Sequence, residues 1–172
     1  MDWSTIFNIG LFQNTLRTAT PVILAGLGCL MTDHVGIMNI GVDGMMLVGA
    51  FAAVLGSYFC SSWAMGLVFA ILAGILLGLF YGLFVVKFKS DEFIIGVALN
   101  LFAGGLTVFL LGALFGVRGT LRTQAGLPTV DLPLIDQIPF LGEVFSGNSL
   151  FIYLTVLIVL IMWTLVYRTP WG

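Results

Sequence analysis

Charge is what this sequence has least of. Only 8% of its 172 residues are Asp, Glu, Lys or Arg, where ordinary soluble domains carry roughly a quarter. Lys+Arg 6 against Asp+Glu 8 leaves a net charge of −2, which offers no basic face for a phosphate backbone and excludes nucleic acid as a partner. Histidine and cysteine are almost missing. His34, Cys29 and Cys60 stand apart, without metal-ligand spacing, and each thiol is expected to be a buried, inert one. The G-x-x-x-x-G-K-[ST] phosphate cradle, the H-E-x-x-H zinc pair and the G-x-S-x-G elbow are all lacking. An intramembrane aspartyl protease would need two facing acids at depth, and only Asp43 stands near an apolar interior. The chain is therefore read as no enzyme. Met1-Asp2-Trp3 lacks the basic start and the cleavage site of a signal peptide, so the first apolar segment is expected to stay in the mature protein.

What fills the chain instead is apolar sequence: 60% hydrophobic residues and a mean hydropathy of +1.15. Runs long enough to span a bilayer, which takes about 20 residues, cover approximately residues 11–31, 39–60, 63–86, 93–114 and 150–166. They are continuous, not alternating, which argues against a β-barrel. The fold class is all-α, a polytopic transmembrane helical bundle of about five spans in one domain over residues 1–172. The first run carries Gln13, Asn14, Arg17 and Pro21 in its leading half, so that half should begin at the interface and the proline should kink or open the helix. Residues 117–148 hold Arg118, Arg122, Asp131, Asp136, Glu143 and three prolines, a long connection that points to local structure or function. Basic residues mark the cytoplasmic edge. With the N-terminus outside, Lys87, Lys89 and Arg168 lie within, while Arg118 and Arg122 lie without. Cys29 and Cys60 then fall about 30 Å apart, beyond disulfide reach.

Small and polar residues are not scattered evenly. Gly66, Ala70, Gly74, Gly78 and Gly82 recur every fourth position, which places them on one helical face open to close backbone approach. Gly49, Ala53 and Ser57 repeat the device in the preceding run. Asn100 sits between Gly96 and Gly104 on such a face, where its amide needs either a hydrogen bond to another helix or a wet pathway. Asn39 and Asp43 stand four apart at the start of the second run. Two readings fit them: a helix cap with an acid in the positive first turn, or an acid at a transport gate. Gly41 and Gly44 suit a bend, a close crossing or a broken helix. His34 is read as a solvated turn residue.

Two blocks resemble a known family. They are Ala19-Thr20-Pro21-Val22-Ile23-Leu24-Ala25-Gly26-Leu27-Gly28 and Gly36-Ile37-Met38-Asn39-Ile40-Gly41-Val42-Asp43-Gly44-Met45-Met46-Leu47-Val48-Gly49-Ala50-Phe51. Both resemble the permease subunits of bacterial ABC importers for nucleosides, simple sugars and branched-chain amino acids, the nucleoside branch above all. Asp91-Glu92-Phe93-Ile94-Ile95-Gly96-Val97-Ala98-Leu99-Asn100-Leu101, Ile138-Pro139-Phe140-Leu141-Gly142 and Tyr167-Arg168-Thr169-Pro170-Trp171-Gly172 are similar to a following helix, an external loop and the approach to the coupling region. The family usually has Glu where Asp43 stands, and a Glu-Arg or Glu-Lys pair where Asp33-His34 stands.

The resemblance implies an inner-membrane, multi-pass permease subunit forming part of the path for a small polar solute, most simply a nucleoside, with Asn39, Asp43 and Asn100 as path candidates. It implies as partners a second permease subunit, an ABC ATP-binding subunit that uses ATP and Mg, an external substrate-binding lipoprotein and membrane lipid. The chain itself would bind no cofactor or metal. Family members are longer, so the sequence is expected to be an N-terminal fragment. The rival reading is a membrane scaffold or assembly protein whose small-residue faces bind other helices and which has no transport path.

Overall fold

A computed structural model of the chain describes residues 9–116, 129–130 and 148–169. Five helices dominate: α1 (Ile9–His34), α2 (Val42–Cys60), α3 (Trp63–Gly82), α4 (Glu92–Phe115) and α5 (Leu150–Arg168), with a π-helical turn, Leu83–Lys87, continuing α3. Each is long and apolar enough to cross a membrane, as expected from the five runs. Two-residue strands β1 (Thr129–Val130) and β2 (Asn148–Ser149) pair antiparallel, with Thr129 opposite Ser149. Apart from that pairing the described residues lie in helices or in the turns, bends and irregular stretches that join them. Most of residues 117–148, with Arg118, Arg122 and the Ile138–Gly142 block, lies outside the described residues, as does Met1-Asp2-Trp3.

The chain divides into two compact units, Met1–Gly28 with Leu127–Gly172, and Cys29–Gly126. In the first, α1 runs on through Pro21 as one unbroken helix, and α5 is capped by Ser149, whose hydroxyl accepts the Phe151 N–H at 3.5 Å. Among its described residues Thr20, Ile152 and Thr155 are buried. The two threonine hydroxyls donate to carbonyls one turn back, Leu16 and Phe151, at 2.7 and 2.8 Å, which satisfies them without water.

The second unit is built on backbone contact. α2 and α3 form an antiparallel hairpin across Ser61-Ser62, with Ser61 in the left-handed region at φ 49°. A Cβ added at Gly56 would lie 2.8 Å from the Met65 carbonyl and 3.0 Å from Gly66 Cα. One added at Gly66 would lie 2.7 Å from the Ala53 carbonyl and would collide with the Ser57 hydroxyl. Glycine at both positions lets the two backbones touch, the source of helix attraction where lipid is as apolar as leucine. On α4, Gly96, Leu99, Ala103 and Thr107 form the buried face. Its start is set by Asp91, which accepts the Ile94 N–H at 3.0 Å, and its end by Gly116 at φ 65°. Many large apolar side chains point outward instead: Leu79 is 71% and Leu101 74% exposed. That inversion suits a lipid solvent.

Two boundaries differ from the sequence reading. α1 continues to His34, one turn beyond residue 31, and α2 begins at Val42, not at 39. Asn39 therefore lies outside the helix. It neither caps α2 nor shares a helical face with Asp43, because the backbone around it is unwound.

Candidate functional site

The unwound stretch, residues 35–41, opens on local signals. α1 stops in a Schellman arrangement: Gly36, at φ +74°, donates to the Asp33 carbonyl at 2.9 Å and Ile37 donates to the Thr32 carbonyl at 2.9 Å. Asn39 then turns the chain by accepting the Gly41 N–H on its own Oδ1 at 3.1 Å. Gly41 takes the N-cap position of α2, and having no side chain it can satisfy none of the orphan N–H groups of the first turn.

Asn100 of α4 does so in its place. Its Oδ1 accepts the Gly44 N–H at 2.7 Å and its Nδ2 donates to the Ile40 carbonyl at 2.9 Å. The amide thus caps α2 from another helix while bonding the last turn of the break. Eight residues beyond Glu92, at 1.5 Å per residue, it stands about 12 Å along α4, so the break reaches into the span instead of lying at its edge. Room for this comes from glycine on both sides. A Cβ at Gly96 would lie 2.9 Å from Gly41 N, and one at Gly44 would lie 3.0 Å from Asn100 Cα. Of the bend, close crossing or broken helix that Gly41 and Gly44 suit, the structure has a close crossing beside an unwound stretch.

Two further carbonyls of the break have side-chain donors. The Tyr81 hydroxyl, from α3, donates to Met38 O at 3.1 Å and lies 3.4 Å from Glu92 O. The Cys29 thiol, from α1, lies 3.8 Å from Asn39 O. Met38, Asn39 and Ile40 are consecutive, and each carbonyl accepts from a different helix. Among the described residues no buried side-chain nitrogen or oxygen lacks a partner. Tyr81, 4% exposed, is absent from the candidates drawn from sequence. Its one signal there is a hydroxyl in an otherwise apolar run, which must find a partner once buried.

The path candidates are placed unequally. Asn100 is engaged at both ends of its amide. Asn39 is half-buried, with Nδ2 3.9 Å from the Met45 sulfur. Asp43 is exposed in the first turn of α2, where the helix dipole favours an anion. His34, also exposed, sits 2.8 Å from the Leu30 carbonyl through Nδ1. Along the α3 ladder, Gly66 abuts α2 and the Ala70 carbonyl lies 4.0 Å from a Cβ placed at Gly49, while a Cβ at Gly74, Gly78 or Gly82 would meet nothing within 4 Å. Among the described residues no three His, Cys, Asp or Glu side chains are grouped to hold a metal ion.

Residues 11–172 match the family described as branched-chain amino acid transport system, permease component. The chain is 32% identical to a putative glucose ABC transporter permease of Haloferax volcanii, over 96% of this chain and 50% of that protein. It is 31% identical to the guanosine ABC transporter permease NupQ of Bacillus subtilis, over 100% of this chain and 56% of that protein. It is 28% identical to the nucleoside ABC transporter permease NupC of Lactococcus lactis, over 92% and 52%. The chain spans about half the length of these curated relatives. No solved structure matches it.

Proposed function

The chain belongs to the family of branched-chain amino acid transport permease components, and from that premise we propose that it supplies part of the transmembrane path of an ATP-driven ABC importer for a nucleoside. The observation that carries the reading is the family match over residues 11–172; the guanosine and nucleoside permeases among its relatives support the substrate class. The chain does no chemistry of its own in this reading. ATP, with Mg, is hydrolysed in a cytoplasmic ATP-binding subunit, a second permease subunit completes the path, and an external lipoprotein delivers the solute to this inner-membrane assembly.

The broken start of α2 suits that role. A helix interrupted inside the bilayer offers polar backbone beside a path at small cost, because its carbonyls are already partnered by neighbouring helices. Asp43 is the residue there whose charge is left to act on a solute, with Asn39 beside the same break. Asn100 acts through the backbone it holds. With residues 87–92 cytoplasmic, the break lies toward the cytoplasmic side, at the same end of α4 as that turn.

Deleting the reading frame in its source organism tests the proposal. Uptake of labelled guanosine should fall and return with a plasmid copy of the locus. Loss of glucose or leucine uptake with guanosine uptake intact would overturn the nucleoside assignment. Unchanged uptake of all three, with loss of an assembled membrane complex, would favour the scaffold reading.

A further inference from the structure

The three side chains that hold the break are not equivalent. Asn100 uses both ends of its amide at 2.7 and 2.9 Å, a fixed attachment. The Cys29 thiol, at 3.8 Å, is a weak donor. Tyr81 carries one O–H proton and faces two acceptors, Met38 O at 3.1 Å in the break and Glu92 O at 3.4 Å in the first turn of α4. One proton cannot serve both well. Tyr81 also stands just ahead of the π-helical turn Leu83–Lys87, where Phe88 donates to Leu83 O at 3.2 Å and Ser90 to Phe84 O at 3.1 Å. Such turns are rare and recur at functional sites.

We propose that Tyr81 is a positioning residue for transport, whose hydroxyl ties the break ahead of α2 to the end of α3 and releases it by turning from Met38 O to Glu92 O. With the proton on Met38 O, the last turns of the break are held and Asp43 keeps its place. With the proton on Glu92 O, the Met38 carbonyl keeps only the local Ile40 N–H at 3.1 Å and loses its tie to α3, while Asn100 still anchors Ile40, so the break hinges about Asn100. This rests on the transport reading, and its own consequence is local: removing the hydroxyl loosens residues 37–41 without touching the α2–α3 hairpin.

Tyr81→Phe keeps the ring and deletes only the donor. In the chain assembled with its partners in lipid, amide hydrogen exchange across residues 37–41 should quicken about fivefold, the worth of one ordinary hydrogen bond. Exchange around Gly56 and Gly66 should stay as in the unmodified chain, which also shows that the variant is folded. Solute uptake should lose turnover several-fold at an unchanged KM, because the tie acts on the moving step and not on solute contact. Unchanged exchange across 37–41 would overturn the proposal, and so would faster exchange with unaltered turnover. Absence of any uptake by the unmodified chain defeats the transport reading instead, and the exchange measurement, which needs no solute, keeps the two failures apart.

Discussion

Adding one methyl group at Gly44 should unseat the break from α4. The new Cβ would lie 2.8 Å from Asn100 Oδ1 and 3.0 Å from both Asn100 Cα and the Leu99 carbonyl. Two of those three atoms are backbone, which cannot turn aside, so α2 must move away. Overpacking of this kind costs about 1–3 kcal/mol. Movement also stretches the 2.7 Å bond from Gly44 N to Asn100, a further loss of about 0.5–1.5 kcal/mol. Alanine regains about 1 kcal/mol of helix propensity, leaving Gly44→Ala destabilised by about 2 kcal/mol. Gly78→Ala supplies the internal comparison. Nothing lies within 4 Å of its added Cβ, so there only the propensity acts and the variant should gain about 0.5–1 kcal/mol. Reversible unfolding of the purified chain in mixed micelles, titrated with a denaturing detergent, reads both. A Gly44→Ala chain as stable as the unmodified one, or a Gly78→Ala chain that loses as much, would refute the reasoning.

Asp43→Asn separates charge from capping. If the acid only complements the helix dipole, the loss is about 0.3–1 kcal/mol with uptake intact; the path proposal instead expects uptake to fall at least about tenfold at normal membrane levels, and Asp43→Glu to retain it. Normal uptake by Asp43→Asn removes Asp43 from the path. For the orientation, native Cys60, which is exposed at the end of α2 and not buried as expected from the sequence, should react with an impermeant maleimide in intact cells, whereas Ser90→Cys should react only after permeabilisation. Labelling of both from outside refutes the assignment.

The alternatives left open at Asn100, Gly41 and the ladder divide on what sequence can encode. Four-residue spacing puts Gly66, Gly74, Gly78 and Gly82 on one face by geometry alone. Which of them meets a neighbour depends on where α2 lies, and α2 reaches only the start of that face, at Gly66 and Ala70. Asn100 likewise had to find a partner if buried, but an amide in an apolar run does not name its acceptor. The acceptor is Ile40, 60 residues away in sequence.

Membrane residence, the five spans and their approximate limits follow from composition and run length, because a bilayer selects for unbroken apolar stretches of fixed length and leaves little room for tertiary context to overrule them. The cap at Asp91 and the glycine stop at Gly36 are equally local, since each satisfies backbone groups within a few residues. The break before α2 is a different matter. Asn39-Ile40-Gly41 could continue a helix on hydrophobic pattern alone, and residues 39–60 read that way. It stays unwound because Tyr81, Cys29 and Asn100 donate to three of its carbonyls, while Gly41, Gly44 and Gly96 let the backbones close around them. Those contacts join residues from four helices, and only the folded chain brings them together.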